Sequence, residues 1–179
     1  MQKDLTQQNQ RMFRDPAALG LVPTLELSRA PKGQTFEYRG EHKRVIESAW
    51  ADATRLRKVK GPCVYVVTDS EGIIRYIGKH AGATPVGSRW YRRGHIHHAS
   101  SRNHVIAELD AGRGPCMLWS AAVDELRSRL PATAQHWAAA TLAQGLEAEW
   151  IARWRPQLWN QRLEPAVAGF TDGHYMRVA

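Results

Sequence analysis

Gly61-Pro-Cys-Val-Tyr-Val-Val-Thr-Asp-Ser-Glu-Gly-Ile-Ile-Arg-Tyr-Ile-Gly-Lys-His80 is the stretch whose reading decides the fold. Gly61-Pro62 interrupts what precedes it. Cys63 to Thr68 and Ile73 to Gly78 are β-branched and aromatic runs, and Asp69-Ser70-Glu71-Gly72 between them is a polar loop closed by glycine. This pattern predicts a β-hairpin. If Thr68 pairs with Ile73, Tyr65 stands directly opposite Tyr76 on one face, with Cβ atoms about 5 Å apart. A one-residue bulge changes that register. Taken alone, two strand tyrosines are better explained by packing, because tyrosine is enriched in strands.

Around this hairpin the chain has 179 residues, 43% hydrophobic and 23% charged, enough for one domain with a real core. No apolar run approaches a membrane span, and residues 1–10 are polar with no signal core. Cys63 and Cys116 are far apart, each follows a proline, and no CxxC occurs, so neither a disulfide framework nor a cysteine zinc site is indicated. Both cysteines read as small buried residues of strands. The expectation is a cytoplasmic protein without membrane contact. A net charge of +8 favours a polyanionic partner.

The charge is concentrated. No Asp or Glu lies between Glu71 and Glu108. That interval holds Arg75, Lys79, Arg89, Arg92, Arg93 and Arg102, together with His80, His95, His97, His98 and His104, interleaved with Trp90 and Tyr91. A solvated face normally mixes signs, so this stretch reads as an anion-binding surface, with Lys79, Arg92, His95, His98 and Arg102 as nucleic-acid contacts. His95, His97 and His98 have neither a fourth ligand nor the spacing of a zinc site.

Outward from the hairpin, residues 1–40 read as an irregular arm carrying a short strand around Phe36 and Tyr38. Val45, Ile46, Ala49, Trp50, Ala53 and Leu56 recur at helical spacing, predicting an amphipathic helix over 41–59 with Arg55, Arg57, Lys58 and Lys60 at its C-terminal end. A helix broken near Gly94 is expected over Ser88–His98, a second over Val105–Leu109, a third strand over Pro115–Val123, and a short helix or loop over 124–130. The final helix runs from about Thr133 to Arg155, stopped by Pro156. Leu142, Leu146, Trp150, Ile151 and Trp154 form its apolar stripe, with Glu147 on the stripe's edge. Residues 165–179 are a Gly/Pro-punctuated tail.

Cys63-Val64-Tyr65 followed by Tyr76-Ile77-Gly78 resembles the paired signature of the GIY-YIG nuclease superfamily, the first half degenerate and the second intact. Glu147-Ala-Glu-Trp150-Ile151, then Pro156 and Asn160, resembles that family's closing pattern, and the resemblance covers about residues 61–162. It implies an α/β (α+β) core of three mainly antiparallel strands flanked by helices, spanning 61–164. Residues 1–60 would then be an addition for target binding or homodimerisation.

The resemblance also implies roles. Tyr65 would serve as base for an attacking water, assisted by Tyr76. Glu147 would hold one Mg²⁺, or Mn²⁺ in its place, and Asn160 and Gly78 would be structural. The family arginine has two candidates: Arg89, in Ser88-Arg89-Trp90, and Arg93, with His97 four residues on. The chemistry is coherent: arginine can bind the charge that builds on the non-bridging oxygens. Mg²⁺ keeps its waters and takes few protein ligands. A free phenol, with a pKa near 10, needs a nearby cation or metal to act as a base. The expectation is thus a metal-dependent DNA endonuclease of restriction or stand-alone type, acting on double or single strands. The alternative is a nucleic-acid-binding module with the same basic face and no catalysis.

Overall fold

The computed structural model describes residues 14–29, 35–38, 41–44, 51–92, 95–96 and 102–160. Its strands are β1 (Val22–Arg29), β2 (Thr35–Tyr38), β3 (Glu41–Arg44), β4 (Ala51–Arg55), β5 (Cys63–Thr68), β6 (Ile74–His80), β7 (Tyr91–Arg92), β8 (His95–Ile96) and β9 (Cys116–Ala122). The helices are α1 (Val86–Trp90), α2 (Arg102–Asp110), α3 (Val123–Leu126) and α4 (Ala139–Trp154). The main sheet is antiparallel with order β4-β1-β9-β5-β6, while β2–β3 and β7–β8 are separate ribbons. The class is α+β, but the sheet has five strands rather than three. No described helix is long and apolar enough to cross a membrane.

Every residue of β5 is buried, because both of its faces are covered. Val64 and Val66 join Ile77, Leu142, Leu146, Trp150 and Ile151 in the layer beneath α4. Cys63, Tyr65 and Val67 point the other way, into a second layer with Val59, Tyr76, Val86, Trp90, Val105 and Leu109. The period-2 alternation of a strand thus feeds two cores. α4 meets the sheet over β5 and β6, so the edge of its stripe falls at β6.

Three expectations are corrected. The helix over 41–59 is not formed: Glu41–Arg44 and Ala51–Arg55 are strands, and residues 45–50 lie outside the described set. β4 pairs with β1 from Leu25↔Arg55 to Arg29↔Ala51, a non-local ladder that overrides weak helical propensity. β1 itself lies where an irregular arm was expected. Its Pro23 sits beside a register shift against β9, where a strand tolerates a missing N–H. The helix over Ser88–His98 is only α1; Tyr91–Arg92 and His95–Ile96 are extended and pair with each other.

The hairpin register is a further correction. Tyr65 pairs with Gly78, and Tyr76 pairs with Val67. Asp69 closes a longer loop than expected, its Oδ1 accepting from Glu71 N and Ile73 N, both at 3.0 Å. Thr68 therefore pairs with Ile74, and Arg75 is a bulged extra residue before Tyr76. Arg75 Nε donates to Asp69 Oδ2 at 2.7 Å, which fixes the bulge. The two displacements add to two residues, so both tyrosines keep a common face as diagonal neighbours.

Candidate functional site

β6 is an edge strand, and side chains and backbone from the rest of the chain occupy its open side. An exposed strand edge is a pairing hazard unless it is covered. Trp159 N donates to Arg75 O at 2.6 Å. Asn160 then clasps the next outward peptide: its Oδ1 accepts from Ile77 N at 3.0 Å and its Nδ2 donates to Ile77 O at 2.8 Å. Glu147 Oε1 accepts from Lys79 N at 3.1 Å, and Arg89 Nη1 donates to Lys79 O at 3.4 Å. Three of the residues singled out in the sequence, Arg89, Glu147 and Asn160, thus meet one strand edge at Ile77 and Lys79.

Glu147 is 6% exposed, and its second oxygen accepts from Lys79 Nζ at 2.6 Å. One lysine thus meets the buried carboxylate through both backbone and ammonium. Lys79, read from sequence as a nucleic-acid contact, directs its charge at Glu147. Glu149, two residues on, instead pairs with Arg153 at 2.6 Å on another face of α4.

On the opposite face of the hairpin, Tyr65, Tyr76 and Trp90 form an aromatic triangle. The tyrosine rings stack at 6.2 Å and 25°. Trp90 meets Tyr65 at 6.0 Å and 86°, and Tyr76 at 5.6 Å and 74°. Edge-on contacts set the positive ring rim against a negative face. Gly78 is required here, because a Cβ at that position would collide with Cζ and Oη of Tyr65. Burial pushes the Tyr65 phenol well above its ordinary pKa, with Tyr76 adding; Arg89 pulls it down, Glu147 raises it and Trp90 lowers it. The Tyr65 hydroxyl therefore lies within electrostatic reach of Tyr76, Arg89 and Glu147 together. At neutral pH it is a protonated phenol.

Arg89 is placed by the loop joining β6 to α1. The imidazole Nε2 of the buried His80 lies 2.7 Å from Thr84 O, and a Cβ on Gly82 would meet that ring at 2.9 Å. Val86 N donates to Val59 O at 3.0 Å, anchoring the start of α1. Arg89 itself is exposed.

Of the other expected site residues, Arg93, His97 and His98 lie outside the described residues. Arg92 and His95 pair across β7 and β8, and Arg102 opens α2. Sequence reasoning missed the triangle's third ring, Trp90, and the brace formed by His104, which stacks on Trp159 at 5.5 Å and 9°. Aromatic residues immediately after Arg89 and before Asn160 were the available signal.

Among the described residues no group of three or more His, Cys, Asp and Glu could hold a metal. A hydrated Mg²⁺ needs only one or two carboxylates. Glu147, a single buried carboxylate, meets that demand in number and type of ligand. No family model, curated protein or solved structure matches the chain.

Proposed function

We propose that the chain is a metal-dependent DNA endonuclease with a GIY-YIG-like core built from β5, β6, β9 and α4. The observation that carries the reading is geometric: Glu147 from α4 and Arg89 from α1 both bond the backbone of Lys79, next to Gly78, over which the Tyr65 ring lies. Phosphodiester hydrolysis needs a cation for the non-bridging oxygens, a metal-holding carboxylate and a group to manage the water's proton. Arg89, exposed at the site's rim, binds the scissile phosphate. Glu147 would hold the ion, which supplies Lewis-acid stabilisation of developing charge when bound. Tyr65, a neutral phenol, orients the water by hydrogen bonding and would take its proton only as the phenolate, a form that burial disfavours more than Arg89 favours it. Tyr76 packs beside it and fixes its ring. Asn160 and Gly78 hold β6 and the ring of Tyr65 in place.

One observation favours the alternative of a binding module without catalysis: both Glu147 oxygens are already engaged by Lys79. Incubating supercoiled plasmid with the chain and Mg²⁺ separates the two. Nicking that disappears in Tyr65→Phe and Glu147→Gln supports the nuclease; salt-sensitive binding without nicking supports the module.

A further inference from the structure

The exposed connection between β4 and β5 belongs to none of the machinery above. It reads Arg55-Leu-Arg-Lys-Val-Lys60, and no Asp or Glu occurs between Asp52 and Asp69. Instead of ending a helix, it follows β4 without regular structure and buries Val59 in the layer that holds Tyr65 and Tyr76. Leu56 N and Arg57 N donate to Thr24 O at 3.1 and 3.3 Å, and Val59 O accepts from the first residue of α1. Val59 is buried beside Val86 and Trp90, while Arg55, Arg57, Lys58 and Lys60 are exposed. Leu56, at 49%, is the exposed large hydrophobic among the described residues, marking how fully the segment faces outward. Among the four cations, Arg57 faces Glu125 at 3.9 Å with both side chains half exposed, a contact of little energetic weight.

Position gives this segment its meaning. Cys63, where the connection enters β5, pairs with His80, where β6 ends. The connection, Lys79 and α1 therefore share one end of the sheet. Arg89 lies three residues beyond Val86, less than one helical turn from the anchoring bond to Val59. The opposite end, at the hairpin tip, carries Asp69 and Glu71.

We propose that Arg55, Arg57, Lys58 and Lys60 form a phosphate-binding tract that carries the duplex flank leading into the Arg89 site. The proposal names the substrate-engaging surface of the proposed nuclease and so rests on that reading. Clustered, outward cations give affinity that is independent of sequence and falls steeply with salt.

The test measures anisotropy of a fluorescein-labelled 20-base-pair duplex, titrated with the full chain over a range of salt. Lys58→Ala/Lys60→Ala is compared with Arg14→Ala/Arg113→Ala, which removes equal charge near the hairpin tip, and Lys58→Gln/Lys60→Gln repeats the first with longer side chains. The tract pair is expected to weaken binding about tenfold near 100 mM salt and to lower the log–log salt slope by about two, as loss of two phosphate contacts requires. The tip pair is expected to change affinity less than twofold. Equal losses from both pairs, or no loss from the tract pair, overturn the proposal. So does tighter binding to vesicles containing phosphatidylserine than to the duplex. A wild-type chain that binds but does not cut, with the tract pair weakened, keeps the tract and removes the nuclease. Cutting by wild type with unchanged tract-pair binding removes the tract alone. Absence of duplex binding removes the tract.

Discussion

Asn160 grips the peptide of Ile77 with both ends of its amide, 83 residues away along the chain. The two bonds substitute for a missing neighbour strand at the point where β6 passes between its bulge at Arg75 and its contact with Glu147. Replacing Asn160 with Ala removes both and leaves the peptide edge to water. The expected loss is about 1–3 kcal/mol, from two hydrogen bonds of modest net value plus an opened strand edge. Asn160→Asp should recover little, since a carboxylate can accept from Ile77 N but cannot donate to Ile77 O. Urea denaturation of the three proteins checks this.

Lys79→Met tests the other clamp. The variant keeps the backbone bond to Glu147 and the aliphatic stem but deletes the ammonium from a carboxylate that is 6% exposed. Lys79 is partly exposed, so the cost should be about 2 kcal/mol rather than the 3–5 of a fully buried broken pair. Glu147→Gln together with Lys79→Met should recover part of it, because a neutral amide leaves no uncompensated charge. A double-mutant cycle by denaturation measures the coupling.

Gly78→Ala places a methyl where the Tyr65 ring lies. Backbone and ring must separate, so a destabilisation of about 1–3 kcal/mol is expected, as for overpacked cores. Near-ultraviolet circular dichroism should change as well, because Tyr65, Tyr76 and Trp90 lose their mutual packing. An unchanged aromatic signal with full stability would place the phenol elsewhere.

Cys63 and Cys116 make a pH prediction. Burial is the largest cause for each and pushes both thiols from 9.0 up to about 12. Below pH 9 both states hold the protons and nothing is lost. Between pH 9 and about 12 the unfolded chain releases them while the folded chain keeps them, so stability falls as pH rises. Thermal melts at increasing alkaline pH should show this fall, with a gentler slope for Cys116→Ala. In native buffer a thiol reagent should react far more slowly than in denaturant.

The hairpin, the third strand, α4 and its edge residue Glu147 were legible because each is written in local periodicity: alternation for strands, a four-residue stripe for the helix. The register was not. It depends on Asp69 closing an Asx-type loop and on Arg75 bulging toward that carboxylate, and neither is visible in apolar patterning. β1 and β4 were missed for a related reason. Pro23 and the helical spacing of Val45 to Leu56 are local signals, whereas β1 is defined by ladders to residues 51–55 and 116–120. At the site, the residue types could be gathered from sequence, but not the pairing of Lys79 with Glu147 or the cover of Trp90 over both phenols. Those contacts join positions 68 and 25 residues apart through the fold alone.

The most direct measurement is cleavage of supercoiled plasmid in Mg²⁺ by wild type, Tyr65→Phe and Glu147→Gln, with melting temperatures recorded for all three. The expected result is nicking by wild type, abolished or reduced at least a hundredfold in both folded variants. Undiminished cleavage by folded Tyr65→Phe and Glu147→Gln contradicts it.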